Sequence, residues 1–463
     1  MSLLLASPAA PIPRFTGTLI GPEDEAYEEA RQVHNQMIDC RPALIARCES
    51  VPDIAAALAY ARREGLEIAV RGGSHSAPGF ATTDGGLVID LSPLRAIHVD
   101  PARRIAWVQP GVLWGELDAA TQEHGLAVTG GRVSSTGVAG FTLGSGSGWL
   151  ERKMGLAADN LRAARVMTAD GVLVTASETE NPDLFWAIRG GGGNFGIVVE
   201  FEFALRPVGP EVLGGMMMWP RDRAREVMTT YRDLMRDAPD ALSGGLVLMS
   251  APPLPLVPRE LQGRPAVGLL VLYAGELDRG VEHIAPLRAL APTVDTVQPM
   301  PYTAFQSLID GDGSVKLRGY YRFSFIDELT DGAVDTILAG ADNAPSTRSV
   351  VLLHPFGGAF ARVGEMDSAL GNRDAEWGIQ VLAQWLEPER DTTNRAWVRA
   401  FSDALSPWAR PSGFPNFIAD AGDGAAVRDV YGTERYARLV EAKDRWDPEN
   451  VFRLNHNIAP SGG

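Results

Sequence analysis

One segment constrains the fold of this chain more than any other. Residues 129–148 read TGGRVSSTGVAGFTLGSGSG, in which glycine and other small residues dominate. The few apolar residues follow neither a helical nor a strand period, so the segment cannot bury a face of its own. Because glycine lacks the side chain that keeps other groups at a distance, the segment predicts a place where main chain approaches something large and flat.

Regular elements precede this glycine-rich segment. A helix over residues 52–64 is predicted from Ser50 as its N-cap and Gly65 as its C-terminal stop. The other predicted elements are strands at ALIARC, EIAV, LVIDL near Leu87 and RIAWVQPG near Arg104, and a helix from Trp114 to about His124. This order indicates a mixed α/β or α+β domain.

The sequence changes character at residues 206–210. Beyond them, strands such as GGLVLMS and VGLLVLYAG alternate with helices such as RDRAREVMTTYRDLM, and from Phe414 a polar, asparagine-rich tail returns. At 463 residues the chain exceeds the size of one ordinary core. We therefore predict a first domain over residues 1–207, a second over 208–411, and a tail at 412–463 that rejoins the first.

The charge of the chain limits its partners. A formal charge of -16 repels nucleic acid and anionic membranes, so small molecules are the expected partners. The two cysteines, Cys40 and Cys48, suit a reducing compartment better than a disulfide scaffold. The N-terminus has no basic region before its short apolar run, and no stretch has the length of a membrane span, so we expect a cytoplasmic protein. The oligomeric state stays open.

Several common motifs are absent or out of context. Residues 191–196 match GxGxxG, but a strand rather than a helix is predicted to follow, which disfavours a dinucleotide-binding fold for NAD. No GxSxG elbow or P-loop occurs. Six further histidines stand isolated, without the spacing of a metal site, so we expect none: His34, His98, His124, His283, His354 and His456.

His75 is the histidine with an unusual setting. It lies in RGGSHS at residues 71–76, a glycine-led loop directly after a buried strand. The loop alone is compatible with an ordinary surface histidine. It is equally compatible with a neutral imidazole acting as a nucleophile on a cofactor lying against the loop, whose N–H groups would cradle phosphate oxygens.

Aromatic residues are frequent in the second domain. Each one singly is expected in the core, but several together would line a pocket for a flat apolar substrate. They are Tyr302, Phe305, Tyr320, Tyr321, Phe323, Phe325, Trp377 and Trp385.

Five motifs in a fixed order carry a resemblance to a known family. They are RGGSHS, GGRVSSTGVAGFTLGSGSGW at residues 130–149, AADN at 157–160, NPDLFWAIRGGGGNFGIV at 181–198 and DPENVFRLNHNI at 447–458. Together they resemble the berberine bridge enzyme-like flavoproteins of the vanillyl-alcohol oxidase group. The resemblance runs from about residue 14 to residue 460.

The resemblance implies an α+β, two-domain PCMH-type FAD-binding fold with an inserted substrate domain, whose antiparallel sheet covers the flavin. It implies FAD as cofactor, bonded to His75. The residues that it assigns to the cofactor are Arg71, Gly72, Gly73, Ser74, His75, Ser76, Gly131, Val133, Ser134, Ser135, Thr136, Gly137, Gly140, Gly144, Gly148, Asn160, Gly196, Ile197, Val198, Asn455 and Asn457.

Two positions refine this expectation. Many family members form a second flavin bond through a cysteine where this chain has Val133, so a single bond is expected. Thr136 falls where the family places a residue that gates oxygen. Threonine is close in shape to the valine of the oxidases, which favours an oxidase over a dehydrogenase.

The general base is the main departure from the family. Sugar- and alcohol-oxidising members use a tyrosine in a YxNY-like segment, whereas this chain has Phe414 and Phe417 at both tyrosine positions. Neither ring accepts a proton. Gln380, in WGIQVLAQW, matches a substrate-facing position, and its amide orients a substrate but is a poor base.

The resemblance thus implies an oxidase that transfers a hydride from an apolar, aromatic or polycyclic metabolite to FAD, with O2 as acceptor and H2O2 as product. A sugar or alcohol oxidase or dehydrogenase with another base remains the alternative among enzymes. A flavin-binding protein whose substrate site has decayed is the alternative outside them.

Overall fold

A computed structural model describes residues 12–311, 315–420 and 424–462. Its N-terminal sheet has the order β1-β2-β4-β3, in which β2, β4 and β3 are parallel and β1 runs antiparallel to β2. The elements are β1 (Thr18–Ile20), α1 (Tyr27–Ala30), β2 (Leu44–Arg47), α2 (Val51–Glu64), β3 (Ile68–Arg71) and β4 (Leu87–Asp90).

Helix α2 shows how local sequence sets this layer. The Ser50 side chain accepts a hydrogen bond from the backbone N–H of Asp53, and Gly65 ends the helix with a φ of 66°. The buried residues Ile54 and Leu58 pack into the core of the N-terminal sheet. The predicted ends of this helix are therefore confirmed to within one residue.

A second, antiparallel sheet follows, with the order β5-β6-β10-β8-β9, and a two-stranded ribbon pairs β7 with β11. The elements are β5 (Ile97–Asp100), β6 (Ile105–Val108), α3 (Trp114–Gln122), β7 (Leu126–Ala127), α4 (Val138–Leu143), α5 (Glu151–Met154), β8 (Leu161–Met167), β9 (Leu173–Ser177), α6 (Pro182–Ile188), β10 (Ile197–Ala204) and β11 (Arg206–Pro207). Strand β10 follows the GxGxxG match, as predicted.

The glycine-rich segment contains one element that the sequence did not predict. Helix α4 covers six residues and buries Val138, Phe141 and Leu143 in the core of the second sheet. The expectation that this segment buries no apolar face was therefore wrong for these six residues. Fewer than two helical turns are too short for a periodic pattern to stand out.

The largest sheet has eight strands in the order β15-β12-β14-β13-β18-β19-β17, with β16 paired to β12. Its strands are β12 (Glu211–Pro220), β13 (Leu242–Ser250), β14 (Pro265–Tyr273), β15 (Val294–Asp295), β16 (Gln298–Pro301), β17 (Arg318–Ile326), β18 (Val350–Pro355) and β19 (Trp377–Trp385). The helices of this region are α7 (Ala224–Arg236), α8 (Leu277–Ala289), α9 (Tyr302–Gln306), α10 (Asp331–Asp342), α11 (Ala359–Arg362) and α12 (Asp391–Leu405).

The two faces of the eight-stranded sheet differ. Alternate residues such as Leu353, Ile379 and Val381 share a buried core with apolar residues of α7, α8, α10 and α12. The residues between them point to the opposite face, which includes Gln380 and its cross-strand partner Phe323. Helices α7, α8, α10 and α12 thus cover one face, while α5 and α9 pack on the other face at β12 to β14. We call the part of that other face formed by β17 to β19, with Phe323 and Gln380, the open face.

The C-terminal helix α13 (Gly424–Trp446) packs on the core of the second sheet. Its buried Lys443 donates to Asp447 at 2.6 Å and to the backbone oxygen of Asn194 at 2.8 Å. The carboxylate of Asp447 also accepts the backbone N–H groups of Val451 and Phe452. This fully buried ion pair therefore holds the last turn of α13 to the loop before β10.

Replacing Asp447 tests this attachment. Asp447→Ala leaves the buried ammonium of Lys443 without its partner, and a loss of about 3–5 kcal/mol in the free energy of unfolding is expected. Glu449→Ala is the matched control, because Glu449 pairs with Arg62 in water and such pairs contribute about 0–1 kcal/mol. Denaturant titration followed by circular dichroism measures both. Equal losses in the two variants would contradict the expected role of the buried pair.

Candidate active site

The His75 loop starts from an anchored strand end. Arg71, the last residue of β3, is buried, and its guanidinium donates to the backbone oxygens of Ala81, at 3.0 Å, and Ala30. The Arg71 side chain is therefore engaged in hydrogen bonds with other parts of the protein. A role in cofactor binding stays a prediction for this residue, and its main chain is the part that continues into the loop.

Two glycines bring the His75 loop against the glycine-rich segment. A Cβ on Gly73 would lie 2.3 Å from the backbone nitrogen of Gly137 and 2.5 Å from its Cα. The reverse contact, from a Cβ on Gly137 to the nitrogen of Gly73, would be 2.4 Å. The two segments therefore touch backbone to backbone, and any side chain at either position would force them apart.

This contact places His75 beside Ser135. The Nε2 atom of His75 lies 3.0 Å from the Ser135 hydroxyl, and the imidazole stacks on that of His34 with centroids 4.1 Å apart. The backbone N–H of His34 donates to the oxygen of Ser74, which has a φ of 61°. Burial, reinforced by the neighbouring His34, lowers the pKa of His75 to about 3. The half-buried imidazole is therefore neutral at physiological pH.

A tight turn lies next to this histidine. The backbone N–H of Thr136 donates to the oxygen of Val133, and the backbone N–H of Ser134 donates to Asp310 at 2.8 Å. The hydroxyl of Ser134 contacts the other carboxylate oxygen of Asp310. Sequence reasoning did not find Asp310, because it lies far along the chain with no motif around it. Thr136 is half-buried beside Gly131.

Asn416 fastens the end of α4. Its Oδ1 accepts the backbone N–H of Gly146 at 3.0 Å, and its Nδ2 lies 3.3 Å from the oxygen of Gly140 and 3.2 Å from that of Phe141. A Cβ on Gly144 would collide with this amide at 2.3 Å. From the sequence, only Phe414 and Phe417 were considered in this segment. The amide of Asn416, which can both donate and accept hydrogen bonds, was the feature that could have indicated a structural role.

The remaining glycines of the segment divide into two kinds. A Cβ on Gly148 would lie 2.0 Å from the oxygen of Gly130, so this glycine is required by internal packing. Gly140 is exposed, and a Cβ there would meet nothing within 4 Å. Only the second kind leaves its backbone open to a bound molecule.

Other predicted cofactor residues are held within the protein. Asn160 donates to the backbone oxygens of Met154 and Leu156, both at 2.8 Å. Gly196 lies against β8, where a Cβ would meet the oxygen of Met167 at 2.7 Å. The side chains of Ile197 and Val198 lie in two hydrophobic cores. These internal contacts explain why an asparagine, a glycine and two apolar residues occur at these positions. Cofactor binding by them stays a prediction.

The C-terminal asparagines occupy a loop near the glycine cluster of residues 191–196. Asn455 lies 3.2 Å from the position of a Cβ on Gly193. The Oδ1 of Asn457 is buried without a hydrogen-bond partner in the described part of the chain, and so is the Nδ1 of His456. The sequence did not single out Asn194, whose side chain donates to the backbone oxygen of Gly191 and accepts the backbone N–H of Ile458.

The open face of the eight-stranded sheet carries aromatic rings. Phe417 stacks on Phe323 with centroids 5.3 Å apart and meets Tyr321 edge-on at 6.4 Å. Phe414 is fully buried beneath them, and Gln380 is half-buried opposite Phe323. Burial raises the pKa of the Tyr321 phenol, which keeps it neutral.

The aromatic residues singled out in the sequence have two fates. Tyr321 is half-buried on the open face, and Phe323 lies on that face too but is only 8% exposed, in one cluster with Phe325 and Phe414. The others are almost fully buried in cores: Tyr302, Phe305, Tyr320, Phe325, Trp377 and Trp385.

Neither metal ligands nor membrane spans are found in the ranges that the structure describes. No group of three or more histidine, cysteine, aspartate or glutamate residues there could hold a metal ion. Among the same residues, no helix has the length and apolar character needed to cross a membrane.

Comparisons with known proteins identify the family. Residues 42–177 match the model of the FAD binding domain, and residues 414–459 match that described as berberine and berberine like. The chain is 32% identical to (R)-6-hydroxynicotine oxidase of Paenarthrobacter nicotinovorans, with all of both chains covered. An FAD-linked oxidoreductase of Bacillus subtilis is 31% identical, with 96% of this chain and 98% of the relative covered.

A solved structure agrees with these relatives. That of 6-hydroxy-D-nicotine oxidase from Arthrobacter nicotinovorans has a TM-score of 0.87 and 30% identity, covering 98% of this chain and 100% of the other. The chain belongs to the berberine bridge enzyme-like family of FAD-linked oxidoreductases. The predicted family, the α+β PCMH-type fold and FAD as cofactor are confirmed.

The residues of the site fit FAD. Exposed Gly140 gives a flat molecule access to the main chain, and unpaired buried atoms of the neighbouring loops supply hydrogen-bonding groups. In the described part of the chain these atoms are the hydroxyls of Thr142 and Ser145, Nδ1 of His456 and Oδ1 of Asn457.

The glycine contact yields a test of this assembly. Gly137→Ala places a Cβ against the backbone of Gly73, so a lower melting temperature and weaker flavin retention are expected. Gly21→Ala is the control, since the atom nearest to its Cβ would be the Asp24 carboxylate at 3.7 Å. Thermal unfolding and the ratio of flavin to protein absorbance provide the measurements. A Gly137→Ala protein with the melting temperature and flavin content of the wild type would contradict the close approach.

Proposed function

We propose that this enzyme oxidises an apolar, aromatic or polycyclic metabolite by hydride transfer to FAD, with O2 as the final acceptor and H2O2 as product. The observation that carries the proposal is the aromatic character of the open sheet face. The half-buried rings of Phe417 and Tyr321 meet edge-on there, and Phe417 stacks on the buried ring of Phe323. Rings in this arrangement bind a flat apolar molecule by burial and offset stacking.

The chain's own groups at this face orient a substrate rather than ionise. Phe417 has no proton-accepting atom, and the raised pKa of Tyr321 keeps its hydroxyl protonated. The Gln380 amide both donates and accepts hydrogen bonds. When bound, FAD supplies the two-electron oxidation, and these residues hold the substrate in a water-poor setting.

We also propose that FAD is attached covalently through His75 alone. A neutral imidazole is the nucleophilic form, and the low pKa of His75 supports that state. The Ser135 hydroxyl and the His34 ring fix its orientation. Val133 offers no thiol for a second bond.

Use of O2 rests on Thr136 and on the relatives. Thr136 is half-buried in the turn next to His75, where the family places its oxygen gate. The relative at 32% identity is named (R)-6-hydroxynicotine oxidase, and 6-hydroxynicotine is an aromatic compound. Both observations support an oxidase over a dehydrogenase.

Sugar oxidation is the second candidate, because a xylooligosaccharide oxidase of Thermothelomyces thermophilus is 29% identical over 454 residues. A sugar needs many hydrogen-bonding partners, whereas Phe414 and Phe417 remove two phenols from the place where the family has them. This loss favours the aromatic substrate.

The covalent bond is tested by acid precipitation of the purified protein. The yellow chromophore is expected to remain in the pellet of the wild type and to enter the supernatant for His75→Ala, which lacks the nucleophile. His98→Ala, an exposed histidine stacked on Trp107, serves as the control and keeps the bound colour. Release of flavin from the wild type would refute the attachment.

The reaction is tested by mixing the oxidised holoenzyme anaerobically with two panels, aromatic alcohols and amines in one and xylo- and cello-oligosaccharides in the other. Bleaching of the flavin by aromatic compounds alone is expected, since only these match the aromatic face. Admission of O2 is then expected to restore the yellow form with equimolar H2O2. Bleaching by sugars alone, or turnover only with an artificial acceptor, would overturn the respective part of the proposal.

A further inference from the structure

His354, on β18, is a fully buried histidine whose two ring nitrogens lack hydrogen bonds of ordinary geometry among the described residues. It is 0% exposed, and neither Nδ1 nor Nε2 makes a hydrogen bond of ordinary geometry in the described part of the chain, although the side-chain amide of Gln380 is a polar neighbour of the ring. A neutral imidazole carries one N–H donor and one acceptor nitrogen, and leaving both unpaired away from water is costly. The protein keeps a polar ring where an apolar one would pack at no such cost.

The ring belongs to the open face of the sheet. His354 pairs across the strands with Gly378, two residues from Gln380 on the same face. The Phe417 ring lies nearly parallel to it, at an interplanar angle of 13° and a centroid distance of 6.5 Å. The unpaired nitrogens therefore border the aromatic surface that the proposed substrate occupies.

Two further polar side chains lie near this part of the sheet, and each has an unpaired donor. Arg132, within the glycine-rich segment, lies over the Trp149 ring at 4.8 Å. Trp149 meets the sheet at Gly245, where a Cβ would be 3.5 Å from its ring and 3.3 Å from the backbone oxygen of Leu353. Nε of Arg132 and Nε1 of Trp149 are both buried and unpaired in the described residues.

The charge of this cluster is balanced internally. Arg132 Nη2 lies 3.1 Å from a carboxylate oxygen of Glu151, whose other oxygen accepts from the Ser147 hydroxyl at 2.5 Å. Burial and the Arg132 charge lower the pKa of His354, so its ring stays neutral. The unpaired atoms then offer mostly N–H donors and one acceptor, with no free charge.

We propose that His354 is a specificity-determining residue that hydrogen-bonds an uncharged oxygen, a hydroxyl or carbonyl, on the aromatic substrate, with Arg132 and Trp149 as further donors. The inference rests on the proposed aromatic substrate and names the substituent that the site selects. A hydroxyl both donates and accepts, which matches the two ring nitrogens. A carboxylate would meet an arginine already neutralised by Glu151.

The test uses the oxidised holoenzyme at neutral pH and three probes built on one ring system: 2-naphthol, naphthalene and 2-naphthoate. Binding is measured from the perturbation of the flavin spectrum. The wild type is expected to bind 2-naphthol about tenfold more tightly than naphthalene, the effect of one or two hydrogen bonds. It is also expected to bind 2-naphthoate no better than naphthalene.

Two variants and a control separate recognition from structure. His354→Phe keeps a flat ring, and it is expected to lose the preference for 2-naphthol while melting no lower than the wild type, since it breaks no hydrogen bond of ordinary geometry. His354→Gln retains a donor and an acceptor and is expected to keep part of the preference. His283→Phe, on α8 and stacked on Tyr273, leaves the preference unchanged.

Four outcomes would overturn the role of His354. These are an unchanged preference in His354→Phe, a marked loss of its stability, tightest binding of 2-naphthoate to the wild type, and binding of none of the three probes. Failure of the oxidase proposal is a separate result, because it would appear as an unreduced flavin in the anaerobic assay while the binding preference persists.

Discussion

The contact between Gly73 and Gly137 is the constraint on which the rest of the site depends. It joins the loop after a parallel strand to a segment that has almost no core of its own, and it leaves no room for a single carbon atom. The turn at Ser135, the stacking of His34 on His75 and the position of α4 all follow from that approach. The surface proposed for a flat cofactor depends on the absence of side chains, and glycines lie where the two backbones are in direct contact.

The second determinant is the alternation of residues along β17, β18 and β19. One set of side chains fills the core under the helices, and the other forms an aromatic face with Gln380 and His354. A shift of one residue in register would exchange the two sets. The same pleat that stabilises the domain therefore fixes the chemistry of the surface above the cofactor segment, which is aromatic and without net charge.

Local signals were enough for much of the fold. The ends of α2 follow from Ser50 and Gly65, because caps are decided by a few neighbouring residues. The strand after the GxGxxG match was likewise readable. Helix α4 was not, because its six residues are packed by contacts with distant parts of the chain. His75 was named from its motif, whereas Asn416, Asp310 and His354 were not given roles, since their partners lie far away in sequence and no periodicity reports them.

The amide of Asn416 has a consequence for how the protein is made. It caps a helix that lies 270 residues earlier in the chain, counted from its bond to Gly146. During synthesis the histidine loop and the glycine segments leave the ribosome long before this amide does, so the helix end waits uncapped while the whole eight-stranded sheet is translated. Long-range contacts of this kind form late. The end of α4, within the glycine-rich segment, is thus completed only after translation has passed residue 416.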